Sequence, residues 1–122
     1  MLAHNPKFIY VTFQRKGYHF YPNAPEDVAY LRDRHRHLFK FRIQIEVHHD
    51  NREIEFHQFL NMVEGWYEDG TLELNHKSCE MIADDLAKRL DQHYQGDRVK
   101  RDLIIEVSED GECGAVCHYI IQ

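Results

Sequence analysis

The segment at residues 38–48, LFKFRIQIEVH, constrains the fold of this chain more than any other part of the sequence. Apolar and polar side chains alternate along it without a break. A period of two residues places the apolar set on one face of a β-strand, so the pattern predicts a strand with one face against a core. Because a strand must pair its backbone N–H and C=O groups, the rest of the chain has to supply partner strands. The apolar set consists of Phe39, Phe41, Ile43, Ile45 and Val47.

Three candidate partner strands lie towards the two ends of the chain. β-branched and aromatic residues at 7–15 predict a first strand. Residues 102–109 and 115–121 predict two closing strands around the turn EDGE. Between the first two strands, residues 16–34 predict a long loop with a helical turn at 25–31.

Two amphipathic helices are predicted in the middle of the chain. Apolar residues at helical spacing predict a first helix that ends near Asp69 and Gly70. Ser78 is a good N-cap for a second helix, which ends near Gly96. The predicted fold class is therefore α+β, in the element order ββααββ, within a single domain of residues 1–122.

Composition and charge narrow the classes of function. The net charge of −6 opposes nonspecific binding to nucleic acid, because that binding depends on clustered Lys and Arg. A basic stretch from Arg32 to Arg42 is a local exception and suits a small anionic substrate. The sequence shows neither a long apolar window nor a charged-then-apolar leader, and its three cysteines are irregularly spaced. We therefore expect a cytoplasmic protein that does not bind membranes, and nucleic-acid binding through the RDRHRH stretch is the weakest of the functions considered.

Three histidines form the strongest candidate for a functional site. His35 and His37 are two residues apart beside the predicted strand at 38–48, so their imidazoles point to the same face. His19 lies in the predicted loop before them and could supply a third imidazole. Three protein ligands leave one coordination position of a zinc ion open to water or substrate, as in catalytic sites. The sequence also contains Cys113, Cys117 and His118, which form a weaker candidate for a second metal cluster.

The pattern around these histidines resembles that of the 6-pyruvoyl-tetrahydropterin synthase and 6-carboxy-tetrahydropterin synthase family. The sequence GYH, a loop of fifteen residues and HRH resemble the metal-binding layout of that family, in which an H-G-H motif opens the second strand. The segments REIEF and SCEMIADDLAKRL resemble its two helix starts, and EVSEDGECGAVCHY resembles its last hairpin. The resemblance implies a tunnelling fold, in which a four-stranded antiparallel sheet carries two helices on one face. It further implies a homo-oligomer, a trimer or a hexamer, whose sheets close into a barrel.

The resemblance also implies roles for individual residues. His19, His35 and His37 match the family's zinc ligands. Glu109, with Glu112 as a rival, matches the glutamate that accepts hydrogen bonds from the amino-pyrimidine edge of a pterin or guanine. We expect Arg34 and Arg36 to hold the triphosphate of a substrate such as 7,8-dihydroneopterin triphosphate.

The chain departs from the family at the residues that transfer protons. Leu31 occupies the position of the family's catalytic cysteine, and an apolar side chain cannot move a proton. The L-D-H motif between the helices is also missing. The candidates for a replacement catalytic base are Asp33, His76 and Cys79.

Two functions follow from these expectations. The first is a zinc-dependent lyase that acts on a pterin or 7-deazaguanine precursor, as 6-carboxy-tetrahydropterin synthase does in queuosine biosynthesis. The second is a non-catalytic homologue that keeps the metal and binds a pterin or purine metabolite. The missing cysteine favours the second function, whereas three spaced histidines favour the first.

Overall fold

Five strands form one sheet in the computed structural model, which describes residues 2–3, 6–67 and 70–122. In chain order the strands are β1 (Lys7–His19), β2 (His35–Val47), β3 (Leu72–Glu73), β4 (Arg101–Glu109) and β5 (Cys113–Ile121). Their order across the sheet is β3-β1-β2-β4-β5, and all neighbours are antiparallel except β1 and β3. The predicted α+β class is confirmed, and the sheet has one strand more than the four predicted. The additional strand β3 has only two residues, too few for a periodic pattern to reveal.

The first two strands extend further than their sequence patterns predicted. Strand β1 continues through Gly17 to His19, and β2 begins at His35, directly opposite His19 in the register. Gly17 is required within β1 because a β-carbon there would lie 2.8 Å from the ring of Phe39. The predicted loop at 16–34 is therefore shorter than expected, and His19 lies at the end of a strand.

Two α-helices connect the strands, and both have N-caps. Helix α1 (Phe56–Gly65) is capped by the carboxylate of Glu55, which accepts the backbone N–H groups of His57 and Gln58. Helix α2 (Cys79–Tyr94) is capped by Ser78 as predicted, and a short 3-10 turn (Gln95–Asp97) follows it. Helix α1 ends earlier than predicted, and the predicted end at Asp69 lies outside the described residues. A second 3-10 segment (Glu26–Arg32) covers the predicted helical turn.

The core lies between one face of the sheet and the two helices. The alternating residues of β2 that were predicted to face a core include Phe39, Phe41, Ile43 and Ile45, and each is at most 1% exposed. The opposite face of the sheet remains exposed, and it carries Tyr10, Val116 and Ile120 among other side chains. None of the helices in the described parts of the chain has the length and apolar character needed to cross a membrane.

Candidate metal centre

Three imidazole rings meet at one end of the sheet, where β1 ends and β2 begins. The register pairs His19 with His35, and His37 follows two residues later on the same face of β2. The ring centroids are 4.6 to 5.2 Å apart. One ring nitrogen from each histidine lies within 4.8 Å of the other two, so the three residues could hold a metal ion.

The hydrogen bonds of the Nδ1 atoms fix the tautomer of each ring. Nδ1 of His19 lies 2.9 Å from the carbonyl oxygen of Lys77, and Nδ1 of His35 lies 2.8 Å from that of Asp33. Nδ1 of His37 lies 2.8 Å from a carboxylate oxygen of Asp110. Because carbonyl and carboxylate oxygens only accept, each Nδ1 must carry the proton and donate it. Nε2 of each neutral ring is therefore left with a lone pair, the form in which histidine binds metals.

The Nε2 atoms of His19, His35 and His37 are themselves buried and have no hydrogen-bond partner among the described residues. A buried polar atom without a partner costs free energy, and native structures keep few of them. Three such atoms, with the ligand atoms within 4.8 Å of one another, are a donor set that could hold a metal ion. The residues present thus fit a bound metal ion.

The turn between β4 and β5 brings two carboxylates to the same place. Asp110 has a left-handed backbone with φ of 59°, and its other carboxylate oxygen accepts the backbone N–H of Leu38 at 2.9 Å. This hydrogen bond, followed by the one from His37, lowers the pKa of Asp110, so the group that orients His37 stays ionised. The oxygens of Glu109 lie 3.3 Å from Nε2 of His19 and 3.2 Å from Nε2 of His37, without hydrogen-bond geometry.

Burial favours the neutral form of His19. The residue is 7% exposed, and desolvation lowers its pKa, although its hydrogen bond to Lys77 and the nearby carboxylate of Glu109 act in the opposite direction. A neutral His19 is the form needed for metal binding, since a protonated Nε2 has no free lone pair.

A cavity of about 650 Å³ opens beside the three histidines. Its volume is in the range of small-molecule binding sites. Polar and reactive groups on its wall include those of His19, His35, His76, Cys79, Glu109 and Cys113. Apolar surface comes from Phe20, Tyr21, Leu31 and Met81, among others. Leu31 therefore faces the same cavity as His19 and His35.

The three candidate bases occupy different environments. Cys79 lines the cavity but is buried, and burial, with a smaller contribution from the carboxylate of Glu109, raises the pKa of its thiol to about 12. It is therefore not the stabilised thiolate that its position at a helix start suggests. Asp33 is not among the described residues that line the cavity, and its backbone carbonyl orients His35. His76 is exposed and lines the cavity, so it can reach a bound substrate.

Of the candidate substrate-binding residues, some line the cavity and others do not. Glu109 lines the cavity, whereas Glu112 is an exposed turn residue outside the described lining. Arg34 pairs with Glu73 and stacks on the ring of Tyr18. The strand alternation places Arg36 on the opposite face of the sheet from His35. Neither arginine is part of the described cavity wall.

Two contributors to the site were missed in the sequence, and a third, Cys113, was predicted only as part of a separate metal cluster with Cys117 and His118. Asp110 and the backbone carbonyl of Lys77 hold two imidazoles in position, and Cys113 lines the cavity opposite Glu109 in the β4–β5 register. The turn sequence EDGE pointed to a tight turn, but nothing in it indicated that Asp110 contacts a histidine 73 residues away. A backbone carbonyl has no sequence signal at all.

A scan of the sequence against models of known protein families gives no match, and a search of curated proteins finds no similar protein. The site's own geometry must therefore carry the functional argument.

Proposed function

We propose that this chain is a zinc-dependent lyase-type enzyme that acts on a pterin or 7-deazaguanine precursor, in the manner of 6-carboxy-tetrahydropterin synthase. The observation that carries the proposal is the convergence of three unpartnered, buried Nε2 atoms beside a cavity of about 650 Å³. Three imidazoles suit zinc and leave a coordination position for substrate. A structural site has no need of either the open position or the cavity.

The chain's own residues divide the work within the cavity. His19, His35 and His37 would hold the zinc, which when bound would polarise a carbonyl or hydroxyl group of the substrate side chain. The carboxylate of Glu109 would accept hydrogen bonds from the two adjacent N–H donors of the heterocycle. Apolar surface around Leu31 would exclude water from the ring.

His76 is the strongest of the three candidates for proton transfer. It lines the cavity, and imidazole is the commonest acid–base group near neutral pH. Cys79 would have to ionise against its raised pKa, and Asp33 lies outside the described lining. Replacing His76 by Ala should therefore lower turnover by a factor of about 10² to 10⁴ while leaving the zinc content unchanged. His57, an exposed histidine on α1, provides the matched control.

We also propose that the chain assembles into a homo-oligomer, a trimer or a hexamer. Strand β5 is an edge of the sheet, and β3 covers only Gly17 and Tyr18 of β1, which leaves a long second edge. Exposed edges of this kind invite pairing between copies. A role for Arg34 and Arg36 in holding the triphosphate would require a neighbouring copy to bring them to the cavity. Sedimentation equilibrium of the purified protein measures the assembly directly.

A second candidate function is a metal-containing protein that binds a pterin or purine metabolite without converting it. Leu31 in the cavity wall and the buried thiol of Cys79 favour this candidate, since neither can serve as a base. It shares the metal and the cavity with the enzyme and differs in the absence of proton transfer.

Elemental analysis of the purified protein, combined with incubation with 7,8-dihydroneopterin triphosphate, distinguishes the two functions. About one zinc per chain with a new product by mass spectrometry would support the enzyme. Zinc with tight binding and no product would support the metabolite-binding protein. A preparation reconstituted with zinc that retains none after dialysis would refute both.

A further inference from the structure

The carboxylate of Glu109 faces two nitrogen atoms that, in neutral rings with the proton on Nδ1, accept hydrogen bonds and do not donate them. Its oxygens lie 3.3 Å from Nε2 of His19 and 3.2 Å from Nε2 of His37. Both rings use their proton at Nδ1, for Lys77 and Asp110, so each Nε2 presents a lone pair. Two acceptors at this separation repel each other unless a positive charge lies between them.

A metal ion satisfies this arrangement better than added protons do. Protonating the rings would place like charges on imidazoles whose centroids are about 5 Å apart, one of them on the 7% exposed His19. A single cation bound to the nitrogens and to the carboxylate removes the repulsion without charging the rings. Oε1 lies 3.3 Å from Nε2 of His19 and Oε2 lies 3.2 Å from Nε2 of His37, and each separation is close to the roughly 3.3 Å between neighbouring ligands of a tetrahedral zinc ion with bonds of about 2.0 to 2.1 Å.

The backbone holds Glu109 in this place. It is the last residue of β4, opposite Phe39 of β2 and Cys113 of β5 in the two registers. The next residue, Asp110, donates its backbone N–H to the carbonyl of Leu38 at 2.8 Å. The strand end is thus fixed on both sides.

We infer that Glu109 is the fourth ligand of the metal centre while the cavity is empty, and that a bound heterocycle removes it from the metal. The inference rests on the proposed function, because it requires both the metal and a ligand with adjacent N–H donors. One carboxylate cannot serve the metal and the two N–H groups equally well. Binding of the ring therefore opens the coordination position that the substrate side chain needs, and the empty protein keeps that position closed.

The first test measures metal affinity in Glu109→Gln and in a matched control, Glu106→Gln. Glu106 lies on the same strand but on the opposite face, where it pairs with Arg42. Competition with a chromophoric chelator should show zinc affinity at least about 10-fold weaker in E109Q than in the parent, because an amide is a weaker ligand than a carboxylate. The E106Q variant should retain the parent affinity.

The second test uses cobalt in place of zinc, since its visible absorption reports the ligands directly. Addition of neopterin to the cobalt-loaded parent should change the absorption spectrum as Glu109 leaves the metal. The same addition to E109Q should change it much less, although neopterin could still bind in the cavity. This comparison does not depend on the stability of the variant in the absence of metal.

The outcomes separate this inference from the proposed function. A parent protein that binds neither zinc nor cobalt would refute both. A parent that binds metal, with E109Q equal to it in affinity and in cobalt spectrum, would overturn only the role of Glu109 as a ligand. A neopterin response that is the same in the parent and in E109Q would overturn its removal by the heterocycle.

Discussion

The sheet carries a buried polar cluster at each end, and the two clusters differ in whether their polar atoms have partners. At one end, Arg101 is 3% exposed and donates to the carbonyl of Glu46 and to the carboxylate of Glu53, both at 2.8 Å. Asp97 adds a longer contact at 3.5 Å. At the other end, the three histidines have Nδ1 partners, but none for Nε2 among the described residues.

The difference separates a structural cluster from a binding site. The polar atoms of the Arg101 cluster bind one another. Only Nε of the guanidinium lacks a partner within the described chain, and a single unpaired donor does not define a binding site. The histidine cluster leaves three acceptors directed at one point. We therefore expect substitutions at the first cluster to change the free energy of unfolding, and substitutions at the second to change metal affinity.

The largest of the expected changes is the loss of folding stability caused by Arg101→Ala. Removing the guanidinium leaves Glu53 partly buried without its partner, which should lower the free energy of unfolding by about 3–5 kcal/mol. Urea unfolding of the metal-free protein measures this change. Arg42→Ala, which removes a more exposed pair with Glu106, is the control and should cost less than about 1 kcal/mol. If the two substitutions lowered the free energy of unfolding equally, the Arg101 cluster would have no special structural role.

Substituting the histidines should change zinc affinity strongly and the free energy of unfolding only slightly. His35→Ala or His37→Ala should weaken zinc binding by at least about 100-fold, more than the usual loss from an outer-shell residue. The free energy of unfolding of the metal-free protein should change by less than about 1 kcal/mol, since the unpartnered Nε2 atom is removed together with the ring. Isothermal titration with zinc and urea unfolding measure the two quantities. Metal-free variants as unstable as Arg101→Ala would show that the histidines are structural.

The Arg101 cluster should also make stability depend on pH. The hydrogen bond from Arg101 is the main cause that lowers the pKa of Glu53 to about 2 in the folded protein, against an ordinary value of 4.5. A lowered folded pKa gives stability that is present above 4.5 and is lost as pH falls towards 2. Urea unfolding of the metal-free protein near pH 6 and pH 3 should show a loss from this pair of about 1–3 kcal/mol. In Glu53→Gln that component should be absent, and an unchanged acid dependence would contradict the assignment.

The smallest expected effect is that of Asp110→Asn, which tests the orientation of a ligand. Asparagine tolerates the left-handed backbone and can still accept the N–H of Leu38, so the fold should be kept. The charge beside Nδ1 of His37 is lost, and zinc affinity should fall by about 10-fold. A chelator competition measures it, with Asp102→Asn as a control on the same hairpin. Affinity equal to that of the parent would show that the charge of Asp110 has no influence on the metal.

Strong local patterns made most of the fold predictable from the sequence. The alternation at 38–48 and the N-cap Ser78 each depend on neighbouring residues, and both were found where predicted. Strand β1 was predicted to end at residue 15 because Gly17 is a poor strand former. The structure continues past it because Phe39, from another strand, occupies the space that a β-carbon would need. The strand propensity of neighbouring residues contains no information about a contact between two strands.

In the candidate site too, features that depend on neighbouring residues were predictable, and contacts between distant residues were not. His35 and His37 share a face because of their spacing, which is a local property. The contact of His19 with Lys77 and that of His37 with Asp110 join residues 58 and 73 positions apart. The expected role of Glu109 in holding a heterocycle came from the resemblance, whereas its position beside two of the histidine nitrogens needed the structure.

The β4–β5 hairpin has a consequence for the order of events during synthesis. The three histidines leave the ribosome within the first third of the chain, whereas Glu109 and Asp110 follow only after β4 has been made. Until that hairpin folds against β2, His37 has no carboxylate to orient it and Glu109 cannot approach the nitrogens. A nascent chain therefore presents three imidazoles before Lys77 and Asp110 are available to orient two of them, and the complete cluster of histidines and carboxylates forms late.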